Sequence, residues 1–440
     1  MADIVIDPVT RVNGNARVKV MLDEAGNPQD AQFITFGYRG FDQIAAGAHI
    51  DNLLPIVSRI CGGDSLFHQI AAAVAIERAL GVEPPQEADR LRELAMWGQL
   101  FERHAVSLTV HSLPDLLFPS SDPGLRNIIS IHRVDEEVVK RLMALKSLGA
   151  SVLKEAGGRS VHAVNFIPGG AVRDIPQGRR RSLMDKLDEA KPLLIETGRL
   201  IKLLLRRNED AVKAFGGEET SCLSLAGQNG MAISGASIVA IDAAGERLAS
   251  LSPEDAATRT EENNLDHAHI RSAELSGVGE VRVGPLARLN VNGLYGTSLA
   301  DEELEEVKAQ WGFPLHRSMI SHVARILEMI HAWEKMLELL GHTEGEAMRK
   351  ELSPAAARGA GVVEAPEGTL IYDVSLEEDG LVKKLSITAP LQFNLRIMER
   401  SLLESARAVM GGGSEIDERA TAFLETAVRA YAPCIPCGLH

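Results

Sequence analysis

The first forty residues alternate between apolar and polar side chains with a period of two. The alternation covers residues 4–6, 16–22 and 31–36. Residues 24–28, Glu-Ala-Gly-Asn-Pro, separate the second and third of these segments and are typical of a turn. The pattern therefore predicts an N-terminal β-hairpin that is preceded by a short strand.

From residue 67 onward the apolar period lengthens to that of an α-helix. Gly81 suits the left-handed position that ends a helix, and the Pro, Ser, Asp and Gly residues of 114–124 interrupt a later helical run. Helices are predicted over residues 67–80, 88–113, 134–156, 179–207, 304–311, 314–340 and 416–431. Further strands are predicted over residues 237–241, 280–284, 369–374 and 382–387, the last two joined by a turn at 378–380.

The order of these elements predicts the fold class. The chain has no internal repeat, no low-complexity linker and no block of like charges that would separate two domains. We therefore expect residues 1–440 to form one large, helix-rich α+β domain. Its core would be a bundle of long helices, with β-hairpins at the periphery.

Composition narrows the classes of partner. The chain is 45% apolar but only 4% aromatic, so aliphatic side chains must build the core. A formal charge of −15 argues against nucleic acid and anionic membranes, because both attract basic surfaces. The sequence lacks the ~18 consecutive apolar residues of a membrane helix and a basic region at its N-terminus. We expect a cytoplasmic protein without a membrane span.

Cysteines are rare and unevenly distributed. Two of the four, Cys434 and Cys437, lie in the last eight residues, and Cys61 lies far upstream in an Arg-Ile-Cys-Gly segment. Thiols spaced as Cys-x-x-Cys in a reducing compartment are typical of metal or redox sites. Because Cys61 precedes a helical run, helix N–H groups are expected to lower the pKa of its thiol. We predict a metal site between residues 59–68 and 431–440.

Two further residues qualify this prediction. Asp64 stands at the position where a second Cys-x-x-Cys would have its sulfur. Taken alone it would be a helix cap or a surface charge, but beside Cys61 it is a candidate oxygen ligand. Cys222 has no partner nearby in the sequence and is expected to be a small buried apolar residue.

The order of several short motifs resembles that in the large subunits of [NiFe] hydrogenases, and most closely the cytoplasmic, multi-subunit branch. The resemblance covers nearly the whole chain. The motifs are Asp7-Pro8-Val9-Thr10-Arg11-Val12, Arg39-Gly40-Phe41, Arg59-Ile60-Cys61-Gly62, His68, Gly81-Val82-Glu83-Pro84-Pro85, Gly284-Pro285-Leu286-Ala287-Arg288, Glu364-Ala365-Pro366 and Pro433-Cys434-xx-Cys437-xx-His440. The resemblance implies four thiolates that hold nickel, two of which bridge to an iron carrying CO and cyanide. H₂ would be split there, and electrons would leave through an iron–sulfur small subunit.

Position by position, the resemblance implies an altered ligand set. Cys61 and Cys434 correspond to the terminal nickel ligands, and Cys437 corresponds to one bridging thiolate. The other bridge falls on Asp64. A carboxylate is a harder and poorer electron donor than a thiolate, so the electronic character of the centre would change.

Three neighbouring positions also depart from the family pattern. Asn13 stands where the family has a proton-relay Glu, and an amide cannot act as a carboxylate base. Glu367 stands where the family has an Arg over the metals, so a cation becomes an anion and the local field would reverse. Ala432 replaces the Asp that usually precedes Pro-Cys. We therefore assign no catalytic residue from the sequence.

Other site residues follow from the same resemblance. Asp42, where the family has Glu, and the C-terminal His440 resemble a Mg²⁺ site beneath the nickel. His68, four residues after Asp64, is expected either to donate to a metal ligand or to be a satisfied core histidine.

Two functional hypotheses remain open at this point. In the first, a modified nickel–iron centre reacts with H₂ or a related small substrate. In the second, Cys61, Asp64, Cys434 and Cys437 hold an iron–sulfur cluster or a single metal, and the protein relays electrons or serves as a scaffold. The partners implied by both are further electron-transfer subunits and an iron–sulfur small subunit. The chain has no Gly-x-Gly-x-x-Gly fingerprint, so NAD or flavin would bind elsewhere in the complex.

Overall fold

Helices form most of the structure, a computed structural model that describes residues 3–119, 121–342, 348–410 and 418–440. The chain passes from α4 to α5 through a π-helical segment, and short 3₁₀ turns occur elsewhere. The α-helices are α1 Phe41–Ala45, α2 Ile50–Val57, α3 Ser65–Leu80, α4 Gln86–Val106, α5 Leu113–Leu117, α6 Ile128–Val134, α7 Glu136–Gly157, α8 Gln177–Arg207, α9 Glu209–Ala214, α10 Pro253–Arg259, α11 Pro285–Asn292, α12 Ser298–Trp311, α13 Ser321–Leu340, α14 Pro390–Met410, α15 Glu418–Tyr431 and α16 Ile435–Gly438.

The strands form small, mostly antiparallel sheets at the edges of the helical core. They are β1 Ile4–Ile6, β2 Ala16–Leu22, β3 Pro28–Thr35, β4 Phe166–Ile167, β5 Gly170–Ala171, β6 Ser221–Ala226, β7 Ser237–Ile241, β8 Arg247–Leu251, β9 Thr260–Leu265, β10 Ala268–Leu275, β11 Val281–Arg282, β12 Ala357–Ala365, β13 Gly368–Leu376 and β14 Val382–Thr388. The sheet orders are β1-β2-β3, β4-β5, β9-β10, β11-β6-β7-β8 and β12-β13-β14, and only β11 and β6 are parallel among these described pairs.

The predicted hairpins are confirmed. β2 spans the predicted residues 16–22 and pairs antiparallel with β3, in a register that places Val18 opposite Phe33. Both side chains are fully buried, which explains why the period-two alternation was so regular. The second predicted hairpin is β13 with β14. The helix-rich α+β class that the sequence predicts is therefore the observed one.

The long helices also form, with shifted ends. The predicted helix 88–113 is wrong in one respect, because α4 ends at Val106 and residues Ser107–Ser112 are π-helical. Pro114, in the first turn of α5, has no N–H to continue the α-helical hydrogen bonds, which accounts for an interruption just before it. For the predicted helix 416–431, residues 416 and 417 lie outside the described part, and the helix ends at Tyr431 as predicted.

Two elements of the site were not predicted from the sequence. β12 is almost entirely buried, and its Ala-Arg-Gly-Ala-Gly start lacks the alternation that marks a half-buried strand. α14 runs from Pro390 to Met410 and received no assignment. Both elements border the candidate site described below.

Glycines set two close approaches that position the site. A Cβ on Gly361 of β12 would lie 2.1 Å from the backbone oxygen of Ala71, so only glycine lets α3 pack this closely on the strand. A Cβ on Gly149 of α7 would lie 2.6 Å from the backbone oxygen of Gly98 in α4. These contacts place the N-terminus of α3 and the C-terminal half of α4 on either side of one small region.

In the part of the chain that the structure describes, no helix has both the length and the apolar character needed to cross a lipid bilayer.

Candidate metal centre

Four side chains from the two ends of the chain converge at one point. Cys61 lies between α2 and α3, and Asp64 precedes the first residue of α3. Cys434 precedes the four-residue helix α16, and Cys437 lies within it. One ligating atom of each residue lies within 4.8 Å of the others, and all four side chains are buried. The structure thus brings residues 59–68 and 431–440 together, as the sequence predicted.

The distances describe a compact group of three sulfurs and one carboxylate. The Cys61 sulfur lies 3.3 Å from that of Cys434, which lies 2.6 Å from that of Cys437. Asp64 Oδ2 lies 3.5 Å from the Cys61 sulfur and 3.3 Å from the Cys437 sulfur. All these cysteines are free thiols, so their sulfurs remain available as ligands.

Buried hydrogen bonds fix the start of the C-terminal tail. The hydroxyl of Tyr431, at the end of α15, contacts Arg282 Nη2 at 2.9 Å, Ser318 Oγ at 3.0 Å and Ser401 Oγ at 2.7 Å. Ala432 follows with a φ of 49°, in the left-handed region that favours Gly, Asn or Asp. The backbone is therefore strained at the residue where the chain turns toward the two cysteines.

Asn13 connects the N-terminal segment to the tail. Its backbone oxygen accepts a hydrogen bond of 3.0 Å from the Ile435 N–H. Its side-chain amide lies 3.1 Å from the Cys434 sulfur and 3.6 Å from the Cys61 sulfur. An amide N–H is a donor, so Asn13 stabilises negative charge on these sulfurs and does not accept a proton from them.

The thiols share negative charge unequally. The pKa of Cys61 is lowered, chiefly because the thiols of Cys434 and Cys437 hydrogen-bond to its sulfur. The sequence predicted this direction but attributed it to the helix N-terminus, and the neighbouring thiols are the larger cause. Burial raises the pKa of Cys434 and of Cys437. Of the three thiols, Cys61 is therefore the one whose ionised form its neighbours favour.

The Asp64 side chain faces the three sulfurs and does not cap α3. Although it occupies the cap position of α3, its side chain makes no capping hydrogen bond. Burial raises its pKa well above the ordinary value, Glu367 adds to this effect, and Arg103 opposes it. Its Oδ1 atom is buried without a hydrogen-bond partner, although it lies 3.2 Å from Arg103 Nε.

Arg103 is the residue that sequence reasoning missed. It lies in α4, and its Nη2 donates a 2.9 Å hydrogen bond to Glu367 Oε1. The predicted reversal of the local field is therefore incomplete, because α4 supplies a cation beside the acidic residue. The only signal in the sequence was helical spacing: Arg103 follows Met96 and Leu100 of the buried face by seven and three residues.

His68 contacts the centre from the first turn of α3. Its Nε2 lies 3.4 Å from the Cys437 sulfur, and its Nδ1 lies 2.7 Å from the hydroxyl of Tyr372. Burial lowers the pKa of His68 to about 4. The imidazole is therefore neutral at pH 7 and fixed between a site sulfur and a buried tyrosine.

Asp42 and His440 lie apart from the four-residue group. His440 Nδ1 lies 2.7 Å from the backbone oxygen of Cys437, and Asp42 accepts a 2.5 Å hydrogen bond from the Tyr38 hydroxyl. Burial lowers the pKa of His440, and nearby Glu262 and Asp42 oppose that shift. Within the described ranges, these residues do not form a cluster of three or more ligating side chains.

Cys222 lies elsewhere, in β6, where the side-chain amide of Asn290 donates to its sulfur at 3.7 Å. It is buried, as expected for a small apolar residue.

Apolar side chains close the remaining side of the centre. A small cavity beside Cys437 and Asp64 is lined by residues from β12, β13 and α14, namely Ala365, Leu370, Pro390 and Leu391. The sulfurs therefore face a nearly dry space, in which charge interactions are stronger than in water. The free thiols and the carboxylate oxygen that faces them together fit a bound metal.

Comparison with known proteins gives several relatives. The family described as nickel-dependent hydrogenase matches residues 39–113, and the family described as HoxL-like matches residues 3–35. The chain is 30% identical to a subunit of the F420-non-reducing hydrogenase vhu of Methanocaldococcus jannaschii, over 93% of this chain and 100% of that protein. It is also 30% identical to the alpha subunit of sulfhydrogenase 2 of Pyrococcus furiosus, over 99% of this chain and 98% of that one.

Solved structures share the fold. A chain of an NAD⁺-reducing [NiFe]-hydrogenase in the H₂-reduced state superposes with a TM-score of 0.95 at 27% identity, and the match covers 100% of both chains. A Ni-Fe-Se hydrogenase from D. vulgaris Hildenborough superposes with a TM-score of 0.80 at 19% identity. These likenesses confirm the fold class that the sequence predicts.

Proposed function

The chain belongs to the family of nickel-dependent hydrogenase large subunits, and we propose that it carries the metal centre of a hydrogenase-type oxidoreductase complex. One observation carries the proposal: three cysteine sulfurs and one carboxylate oxygen, from segments more than 370 positions apart, lie within 4.8 Å of one another in a buried site. Free buried thiols at this spacing have little structural use without a metal.

Cys61, Asp64, Cys434 and Cys437 would hold the centre. A bound nickel–iron centre would supply the redox chemistry of H₂ or of a related small substrate. The chain contributes the surroundings. Asn13 donates to two sulfurs, and apolar side chains exclude water from the cavity. Because Asp64 supplies oxygen where the family has sulfur, we expect a less electron-rich centre than a four-thiolate one.

A second candidate is favoured by the contacts of Asn13. At the position of the family's proton-relay Glu, this chain has an amide that donates to Cys434. A site without that base is less suited to moving the protons of H₂. The same four donors also form a complete set for an iron–sulfur cluster or one tetrahedral ion. In that case the protein would relay electrons or act as a scaffold.

The proposal extends to partners and to the whole chain. An iron–sulfur small subunit, with further electron-transfer subunits, would receive the electrons. Exposed Val161, beside Gly62, and Val164 provide apolar surface next to the centre for such a partner.

We propose that residues 1–440 act as one domain, with the metal site between residues 59–68 and 431–440. Asp42 and His440 would contribute to a Mg²⁺ site.

Metal analysis of the complex, purified from cells that contain the maturation enzymes, tests the proposal. We expect nickel together with infrared bands of CO and cyanide. Iron and acid-labile sulfide without nickel would instead support the second candidate. C437S should lose the metal, whereas C222S removes an equally buried thiol far from the site and should retain it. A wild-type complex without metal would contradict both candidates.

A further inference from the structure

We infer that Arg103 is the cation of this metal centre: it takes over the positive charge that the family resemblance places at position 367, and Glu367 holds it in place. Arg103 would then be a positioning residue that orients Asp64 for the metal. The part of the inference that concerns metal geometry rests on the proposed function. The exchange of charge between positions 103 and 367 does not, so it can be tested in the metal-free protein.

The geometry places Arg103 against three residues of the centre. Its Nε lies 3.2 Å from Asp64 Oδ1, and its Nη2 lies 2.9 Å from Glu367 Oε1. A Cβ on Gly63 would lie 2.8 Å from the guanidinium carbon, so the glycine leaves the space that the guanidinium occupies. The Arg103 side chain is only 13% exposed. The site is therefore shaped to accept a guanidinium from α4.

The balance of charge requires a cation at this position. Asp64 and Glu367 are buried acidic residues beside a cluster of thiols. Two carboxylates without a cation would repel each other in a space with little water. Among the described residues, Arg103 is the cation with an ion pair to each of them.

A neighbouring arginine serves another purpose. Arg325 is also buried, but its Nη2 donates to the backbone oxygen of Ala430 at 2.7 Å, and its Nη1 lies 3.2 Å from His322. These contacts hold the end of α15 in place. Arg325 therefore supports the tail and adds positive charge near Glu367, whereas Arg103 makes the ion pairs with both carboxylates.

The contact with Arg103 also determines which oxygen of Asp64 faces the sulfurs. Arg103 lies beside Oδ1, and Oδ2 points toward the sulfurs of Cys61 and Cys437. A carboxylate held in this way can offer one oxygen to a metal. Without Arg103 both oxygens would be free to bind, and the coordination number would rise from four toward five.

The first test uses the metal-free protein and five variants. R103M should lower the melting temperature by roughly 5 °C or more, because two buried carboxylates lose their cation. R103K should lower it less. R103M/E367R, which returns the cation to position 367, should recover most of the loss. R92M is the matched control, because Arg92 lies on the same helix with an equally buried partner, Glu77.

The control separates exchange of charge from general destabilisation. R92M should also lower the melting temperature. The double variant R92M/E367R should have a still lower melting temperature, because Arg103 would then face a second cation. The inference is overturned if E367R fails to rescue R103M, or if it rescues R92M equally well. This arm does not depend on the metal, so it remains decisive even if the proposed function is wrong.

The second test reads the geometry of Asp64 with Co²⁺ as the probe. Co²⁺ bound to the wild-type protein should show the intense visible bands of a four-coordinate site. In R103M these bands should lose intensity as Asp64 binds through both oxygens, whereas R92M should keep them. Identical spectra for R103M and the wild type would overturn the positioning role. Absence of Co²⁺ binding to the wild type would count against the proposed function and the positioning role together.

Discussion

Two buried clusters in this protein each combine one arginine with two acidic residues, and they differ in how completely their polar atoms are hydrogen-bonded. The first, the site cluster, consists of Arg103, Asp64 and Glu367. The second, the structural cluster, consists of Arg288, Glu328 and Glu364. Each pairs one guanidinium with two carboxylates in the interior.

The structural cluster is fully satisfied at its arginine. Arg288 bonds both oxygens of Glu328 at 2.8 and 2.7 Å, one oxygen of Glu364 at 3.0 Å, and the backbone oxygens of Ala365 and Pro366 at 2.8 and 2.9 Å. These five contacts match the five N–H groups of a guanidinium. A cluster of this kind fixes a turn and leaves no site for a ligand.

The site cluster is incomplete by comparison. Asp64 Oδ1 and Arg103 Nε are both buried without a hydrogen bond, although they are in ion-pair contact. The cluster faces three sulfurs and a small cavity. Burial of charge alone therefore does not identify a functional site. The three sulfurs and the Asp64 Oδ2 that faces them do, because a metal can bind these donors.

The two clusters also depend on each other. Arg288 holds the backbone oxygens of Ala365 and Pro366, and Glu367 is the next residue in the turn between β12 and β13. The satisfied cluster therefore fixes the backbone from which Glu367 reaches Arg103.

Removing the arginine of the structural cluster should have the largest effect. R288M leaves two buried carboxylates without a cation and should lower the free energy of unfolding by about 3–5 kcal/mol. Urea denaturation measures the loss. R358M is the control, because the pair of Arg358 with Asp373 is solvent-exposed and should cost about 1 kcal/mol or less. Equal losses in the two variants would contradict the structural role.

The pH dependence of stability should distinguish Glu328 as a strongly paired carboxylate. Burial opposes its ionisation, but Arg288 and then His104 outweigh burial and lower its pKa from 4.5 to about 2. The stabilisation is therefore complete above pH 4.5 and is lost as the pH falls toward 2. Over that window the difference in unfolding free energy between wild type and E328Q should shrink by about 3 kcal/mol. A difference independent of pH would show that Glu328 is not strongly paired.

The smallest effect should come from matched glutamates in the two clusters. Burial opposes the ionisation of Glu364 more strongly than Arg288 favours it, but E364Q also loses the ion pair and hydrogen bond with Arg288. E364Q should therefore destabilise the protein by about 1–3 kcal/mol. E367Q removes a carboxylate that pairs with Arg103 and attracts Arg325, and the metal-free protein should change by less than about 1 kcal/mol, because relief of repulsion with Asp64 offsets the lost pair. Urea denaturation of the two variants and the wild type measures both changes in unfolding free energy. A larger loss of unfolding free energy in E367Q would show that the site cluster stabilises the fold as the structural cluster does.

Helices and strands with a regular spacing of apolar residues could be predicted from the sequence. The alternation of residues 16–22 predicted β2, and helical spacing predicted α8, because one face of each is buried. α3 was predicted from its run of small and apolar residues, and it is buried on nearly all sides. β12 and α14 went unassigned, although both line the site. A strand that is buried on both faces carries no alternation that a single sequence can reveal.

The candidate ligands could be identified without the structure. Cys61, Asp64, Cys434 and Cys437 were identified from their spacing and from the family resemblance, and the structure brings them together. Such residues can be found locally because a short motif places its donor atoms within a single turn.

The cation that lies beside Asp64 could be identified only from the packing of the folded chain. Arg103 and Glu367 are separated by 264 positions, and their contact depends on how α3, α4 and β12 pack together. Glycines at helix and strand crossings set that packing by allowing close backbone approach. The spacing of apolar residues along the chain does not indicate where such a crossing occurs. The acidic residue at position 367 could therefore be seen in the sequence, but its compensating arginine could not.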